Sequence, residues 1–353
     1  MSASEQHGSE VRRDGLHGTA PGREARIGAR GGRKAGRGGE MVPPAEFRSY
    51  YGRSVLKAPV WESRDIAGYF FLGGVAGGSA LLAAGADLTG RIGLRRSTRV
   101  AAVAATGLSL AALIHDLGRP GRFVHMLRVL KPSSPMSVGT WILSGFAPLV
   151  AVAALDEARE RLPGPVRPMI AALGRPSGLA ATVLAPAVTT YTGALIADTA
   201  VPVWHDARRE LPYLFGASAL AASGGLAAAT SAPGEAAPAR VVGIAGALVE
   251  QACDRAVHKR LGMVAEPLSQ GRAGRYLTAA RWSTRAGAAL LALSALRRSR
   301  ALDIAGGTAL VAGSLFARLG YFHAGATSAT EPRYTVVPQR ERADHAAKTG
   351  AGG

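Results

Sequence analysis

The residues best suited to proton chemistry lie in or at the ends of long apolar segments. Tyr69 and Tyr191 lie inside two such segments, and His115 and Asp116 end a third. Tyrosine and histidine donate hydrogen bonds to carbonyl oxygens, and a nearby carboxylate relays protons. Ionisable groups in a membrane-depth helix are costly, which makes them functional candidates. The alternative is an ordinary interface in which such residues only anchor helix ends at headgroup level.

The elements that hold these residues are apolar helices. The chain has 353 residues, of which 48% are hydrophobic and 19% charged, against about 25% charged in soluble domains. Segments of roughly 20 apolar residues predict transmembrane helices, and no stretch alternates at the period of a barrel strand. We therefore predict an all-α, polytopic protein of the cell membrane with eight spans, at about 66–87, 98–117, 136–155, 177–199, 212–230, 240–257, 278–296 and 303–325.

Charge and cysteine content exclude several other classes. The net charge of +18 would suit nucleic acid, but Lys and Arg lie in the tails and between apolar segments, where they anchor a membrane protein; no nucleic acid partner is predicted. The single cysteine, Cys253, cannot hold an iron–sulfur cluster. Residues 1–45 are Gly/Arg-rich and residues 326–353 polar, so both are predicted to be disordered tails flanking a domain at 46–325. The composition changes at Met41, which predicts translation starting there.

Polar groups of the predicted spans converge on one membrane face. Eight spans place both termini on one side, here called side A, and alternating helix direction then assigns each residue a depth. One-sided clustering suits a ligand that enters from lipid and exchanges protons at one face, as a quinone does. His115 and Asp116 are predicted to contact the quinone, and a proton relay is predicted through Asp116, Asp198 and Glu250.

Two further groups have predicted structural or docking roles. The first span carries two overlapping GxxxG pairs, which let another helix backbone approach closely: Gly73, Gly74, Gly77 and Gly78. The polar connection between spans two and three is predicted either to seat a partner protein or to lie at lipid headgroups, through Arg119, Arg122, Ser134 and Trp141. No span carries a mid-membrane histidine, so neither haem nor a metal site is predicted.

Three motifs together resemble the NrfD/polysulfide-reductase membrane-subunit family over residues 46–325. They are GYFFLGGVAGGS, HDLGRPGRF followed by KPSSPMSVGTW, and TTYTGALIADTAVPVWHDARRELPYLF. The resemblance implies eight helices in two four-helix bundles and a quinone-reactive subunit without its own redox cofactor. Menaquinone or ubiquinone would be an exchangeable substrate, bound by Tyr69 and Tyr191. The implied partners are a ferredoxin-like subunit with four iron–sulfur clusters and a large molybdopterin-type catalytic subunit.

Two alternatives remain at the level of sequence. A proton or ion transporter would use charged residues on both halves of the spans, namely Asp87, Asp198, Glu250, Arg285 and Arg318. A purely structural anchor would leave all quinone chemistry to its partner. The sequence does not identify the substrate of the catalytic partner, because a different chain determines it. It also does not assign the membrane side of that partner, because Lys and Arg are nearly balanced between the two faces.

Overall fold

The computed structural model describes residues 56–57, 61–117, 121 and 125–350, without the side chains of residues 64 and 343–350. Within these residues every regular element is a helix, which agrees with the predicted all-α class. The predicted N-terminal tail, residues 1–45, lies outside the described residues, as do Arg119 and Arg122.

Eight helices of 20 to 31 residues dominate the described chain. In chain order they are α1 Ser63–Leu88, α2 Ile92–Asp116, α3 Pro135–Glu157, α4 Arg167–Ala197, α5 Leu211–Thr230, α6 Ala237–Leu261, α7 Gly271–Arg297 and α8 Arg300–Thr330. Short helices at Pro202–Asp206 and Glu266–Ser269 lie in the connections before α5 and α7, and α9 follows at Arg333–Gly350.

Six of these helices are long and apolar enough to cross a membrane: α1 from Asp65, α2, α3, α4, α5 and α8. Helices α6 and α7 have 25 and 27 residues, roughly 38 and 40 Å at the rise of an α-helix, which exceeds the hydrocarbon core of about 30 Å. Both carry several charged side chains and fall outside that set. The chain is thus a multi-pass membrane protein with six spans identified by composition, and the remaining two of the predicted eight stay a prediction.

Helices that are neighbours in sequence pack as antiparallel pairs. Helix α1 lies against α2, α3 against α4, α5 against α6, and α7 against α8. Helices α1, α4, α5 and α8 make most of the contacts that join the first four long helices to the last four, and α2 adds a smaller contact with α5.

Glycines of α1 lie where the other central helices approach. A Cβ at Gly74 would lie 3.0 Å from Ala219 Cβ on α5, and one at Gly77 would lie 2.9 Å from the carbonyl oxygen of Ala185 on α4. Gly78 faces the Ser223 side chain on α5, and Gly73 faces Ser109 of α2 at 3.5 Å. Any larger residue at these positions would hold α1 farther from α2, α4 and α5, so glycine permits the close packing.

The helices extend beyond the predicted apolar segments, which moves several polar residues to a different depth. Helix α7 begins at Gly271 instead of 278, and α8 ends at Thr330 instead of 325. Helix α6 likewise runs to Leu261 instead of 257, so Glu250 and Arg318 lie near the middle of α6 and α8, whereas the predicted spans place them toward side A. The predicted segments end at the first charged residues because they are defined by hydropathy. The helices continue beyond them because arginine and alanine both favour helix.

The helix ends on the membrane side opposite to side A, here called side B, also hold buried charges, contrary to the predicted one-sided distribution. Arg99 Nη1 lies 3.1 Å from Asp156 Oδ2 and 3.0 Å from Glu157 Oε1. In the second half, Arg240 Nη2 lies 2.6 Å from the fully buried Asp303 carboxylate. These residues lie at the boundaries of the predicted spans, where sequence alone assigns charges to the interface.

The described residues from 326 to 350 are largely helical, in the part of the chain where the sequence predicts a disordered tail. Helix α8 continues through that point, and α9 follows after two residues. Tyr334 is 2% exposed, and its hydroxyl lies 3.2 Å from Glu266 Oε2, while Arg333 pairs with the same carboxylate at 3.1 Å. Burial of this tyrosine against the connection before α7 fixes the start of α9.

Candidate functional site

Tyr69 and Tyr191 meet in the interior, near the side A ends of α1 and α4. Their hydroxyl groups are hydrogen-bonded to each other, and the side chains are only 4% and 7% exposed. The rings meet edge to face, with centroids 6.3 Å apart and planes at 70°. Two residues that are 122 positions apart therefore form one buried polar pair.

Neighbouring helices shape the space around this tyrosine pair. Gly139 of α3 lies against the Tyr191 ring, because a Cβ there would be 2.5 Å from Tyr191 Cε2. On the other side, Ser109 Oγ of α2 donates a hydrogen bond to the Tyr69 carbonyl oxygen at 3.2 Å. Nothing in the local sequence distinguishes Gly139 from glycines that face lipid, so its contact with Tyr191 was not predicted.

The pair has a definite hydrogen-bonding capacity. Each tyrosine has one O–H donor and an oxygen that accepts. When one hydroxyl donates to the other, the accepting tyrosine keeps its own proton free to donate. The pair as it stands can therefore direct one O–H to a ligand oxygen.

A second pair lies closer to side A and includes an acid that the sequence analysis missed. His115 Nδ1 lies 2.6 Å from Asp65 Oδ2, with the histidine 76% and the aspartate 21% exposed in their side chains. Asp65 precedes Tyr69 by four residues on α1, so the two share a helix face one turn apart. That spacing in the sequence RDIAGYF was the available signal.

Asp116 is placed differently from the prediction. Its Oδ1 accepts a hydrogen bond from the Glu62 backbone N–H, 3.5 Å away, at the start of α1. Among the described hydrogen bonds, none joins Asp116 or His115 to Tyr69 or Tyr191. Of the predicted quinone-binding residues, the structure brings together the two tyrosines, while the other two lie at the surface of side A.

The predicted proton relay is not joined by described contacts. Asp198 is exposed just beyond α4, seven residues past Tyr191, or about 10 Å along a helix. Glu250 is buried in α6, where its neighbours are residues of α5 and α8.

The predicted docking residues that are described lie at the start of α3. Ser134 precedes the first residue of this helix, and Trp141 is 42% exposed. Ser137 holds the connection before α3 by two hydrogen bonds. Its Oγ accepts one from the Lys131 backbone N–H at 3.0 Å and donates one to the Val129 carbonyl oxygen at 3.1 Å.

Trp204, in the connection between α4 and α5, is a further buried residue that sequence reasoning did not single out. Its ring stacks on Trp61 with centroids 6.1 Å apart, and its Nε1–H donates to the Tyr321 carbonyl on α8 at 2.8 Å. Gly325 leaves the space for this ring. The indole thus connects the A-side entrance of α1 with α8.

Comparison with known proteins identifies a family. The family model described as polysulphide reductase, NrfD, matches residues 56–234, about half of the chain, from just before α1 through the end of α5. The match contains the tyrosine pair, Asp65, His115 and Trp204. A search of curated proteins finds no match.

Proposed function

The chain belongs to the polysulphide reductase NrfD family of oxidoreductase membrane subunits, and from this membership we propose that it exchanges electrons and protons with membrane quinone. The observation that carries the proposal is the buried hydroxyl pair of Tyr69 and Tyr191 near side A. A quinone ring needs hydrogen-bond donors at its oxygens, while its tail needs lipid. A tyrosine pair between transmembrane helices supplies the hydrogen-bond donors, and the surrounding bilayer supplies the lipid.

The chemistry assigns roles to this chain's own residues. Reduction of a quinone to a quinol takes two electrons and two protons, and oxidation returns them. The free O–H of the tyrosine pair donates to one quinone oxygen, which stabilises the negative charge that reduction places there. The electrons come from, or go to, the iron–sulfur subunit proposed as partner, because the chain has one cysteine and the described residues hold no group of three or more metal-ligating side chains.

Protons reach this site through the His115–Asp65 pair. His115 is exposed at side A, and Asp65 lies one helical turn from Tyr69 on the same face of α1. Histidine exchanges protons readily near neutral pH. In this proposal the carboxylate next to the quinone site is Asp65, and not Asp116 or Asp198 as predicted from the sequence.

The proposed assembly follows the family. Eight spans form two four-helix bundles, α1–α4 and α5–α8, which the antiparallel pairing of neighbouring helices supports. The four-cluster subunit docks on side A, near Ser134, Trp141 and the preceding connection with Arg119 and Arg122. A molybdopterin-type catalytic subunit completes the complex.

A transporter is the second candidate, and one observation favours it. Glu250 and Arg318 are buried near the middle of α6 and α8, the depth at which transporters hold their ions. A transport function by itself, however, gives no role to the buried pair of Tyr69 and Tyr191.

Substitution of Tyr191 tests the quinone proposal. We expect Tyr191→Phe to weaken binding of short-chain menaquinone and ubiquinone analogues by about tenfold, the value of one hydrogen bond. Turnover with quinone in the native complex should fall by about a hundredfold, as for loss of an acid–base group. Binding is measured by quenching of tryptophan fluorescence in the purified chain.

The matched control is Tyr213→Phe, because Tyr213 is 70% exposed near the start of α5. It should leave quinone binding and turnover at the wild-type level. Wild-type binding and turnover in both Tyr191→Phe and Tyr69→Phe would remove the tyrosine pair from the site.

A further inference from the structure

A second group of buried ionisable residues lies between α6 and α8, outside the proposed quinone site. Glu250 and Asp254 lie one turn apart on α6 and are 4% and 7% exposed. From α8, the Tyr321 hydroxyl donates to Asp254 Oδ1 at 2.9 Å. Arg318 Nη2 donates to the Phe215 carbonyl on α5 at 2.7 Å, with its guanidinium 4.2 Å from the Phe215 ring centroid.

Glu250 has an oxygen without a partner. Its Oε2 is buried and makes no hydrogen bond, and Nε and Nη1 of Arg318 are in the same state. A buried charged group that lacks hydrogen bonds is costly, so this carboxylate calls for a further partner. The Ser218 hydroxyl on α5 lies nearby but donates to the Ser314 hydroxyl on α8 at 2.9 Å.

A small cavity adjoins Glu250. Its volume is about 10 Å³, and its lining includes Glu250, Asp254, Gln251, Arg281 and Tyr321. This is close to the size that holds a single water molecule, which also needs two or more polar partners. The lining supplies them.

The surrounding charges select the ligand. Arg318 attracts the Glu250 carboxylate, Arg281 Nε lies 4.0 Å from Asp254 Oδ2, and Arg285 donates to Gln251 at 3.1 Å. The positive charges of these arginines repel a metal cation and disfavour its binding here. A proton differs, because it neutralises the carboxylate and needs only the oxygen and a water molecule.

A column of side chains leads from this cavity toward side A. Glu250, Asp254 and His258 follow at four-residue intervals, which places them along one face of α6. His258 Nδ1 lies 2.8 Å from the Asp254 backbone carbonyl oxygen and 3.6 Å from Asp254 Oδ1; the side chain is 27% exposed, and its buried Nε2 makes no hydrogen bond. The column is separate from the His115–Asp65 pair, which lies on α1 and α2.

We propose that Glu250 is a proton-exchange site of this subunit, independent of quinone protonation and reached from side A through His258, Asp254 and one water molecule. Uptake converts the Glu250 carboxylate and a hydronium ion into a carboxylic acid and water, and release reverses this step. The second half of the chain would then take up and release protons at side A, while the first half serves a quinone.

The test is an infrared pH titration of the full chain in lipid vesicles. The wild type should show a carboxylic-acid C=O band that grows as the pH falls and shifts in D₂O. Glu250→Gln should lose this band. Glu250→Asp should keep a titrating band with a shifted midpoint, which separates loss of the acid from loss of the fold.

Controls and contrary outcomes are distinct from those of the quinone proposal. Glu160→Gln removes an exposed carboxylate, 80% accessible in the α3–α4 connection, and should leave the band unchanged. An unaltered band in Glu250→Gln would overturn the inference, as would a midpoint that moves when Na⁺ replaces K⁺, since that indicates a cation site. Tyr191→Phe should retain the band, so the two proposals can fail separately.

Discussion

At the scale of single residues, the candidate site depends on which side chains face each other across helices. Tyr69 and Tyr191 were both singled out in the sequence, but only packing against Gly139 and Ser109 explains why their hydroxyls meet. Asp65 shows the reverse case: its spacing from Tyr69 is visible in the sequence, whereas its pairing with His115 depends on the approach of α1 and α2.

Asp65→Asn is the prediction at this scale. The amide cannot accept and pass on a proton as the carboxylate does, so we expect kcat for quinone turnover to fall by about a hundredfold. The KM for quinone should change little, because Asp65 lies a turn away from the tyrosine hydroxyls. Steady-state kinetics of the native complex measure both.

Glu341→Gln provides the comparison, as it neutralises an exposed carboxylate on α9 and should leave kcat as it is. If Asp65→Asn matches the wild type in kcat, protons reach the quinone by another route.

At the scale of helices, glycines of α1 determine how closely its neighbours pack. Gly78→Ala would bring a Cβ against Ser223 of α5, and we expect the free energy of unfolding to fall by about 1–3 kcal/mol. Gly85→Ala in the same helix has no heavy atom within 4 Å of the added Cβ. It should be neutral or slightly stabilising because alanine favours helix. Thermal denaturation in detergent compares the two, and equal effects would contradict close packing at Gly78.

The topology of α6 and α7 gives a second prediction for helices. If both cross the membrane, Gly234 and Arg297 lie on side B and Gln270 lies on side A; all three are exposed. We expect single cysteines at 234 and 297, in a Cys253→Ser background, to react with an impermeant thiol reagent from the same side, and a cysteine at 270 from the opposite side. Labelling of all three from one side would leave α6 and α7 at the surface.

At the scale of the whole molecule, the chain is proposed to work within a complex. Under this proposal the electron carriers lie on another subunit, because a single cysteine cannot hold an iron–sulfur cluster. We expect purification from the native membrane in mild detergent to yield a chain rich in CxxC motifs, a large catalytic subunit and extractable quinone. Mass spectrometry identifies the chains, and solvent extraction identifies the quinone. A protein that purifies alone and without quinone would favour the transporter.

The two halves of the molecule meet at α1, α4, α5 and α8, and this contact places Arg318 beside both. A Cβ at Gly74 of α1 would lie 3.4 Å from Arg318 Nη2, while the same guanidinium contacts Phe215 of α5. Arg318 thus lies between the helix that carries Tyr69 and the cavity beside Glu250.

The sequence by itself determined the helical class, the membrane location and the family, because hydropathy, segment length and short motifs are local properties. It also identified the tyrosines and the glycines of α1. Only the tertiary structure decided that Asp65 and not Asp116 pairs with His115, that Glu250 lies in the second half at mid-depth, and that buried ion pairs such as Arg240–Asp303 occupy side B. The physical reason is that lateral neighbours and depth depend on helix rotation, length and packing order, which are set by contacts between residues far apart in the chain.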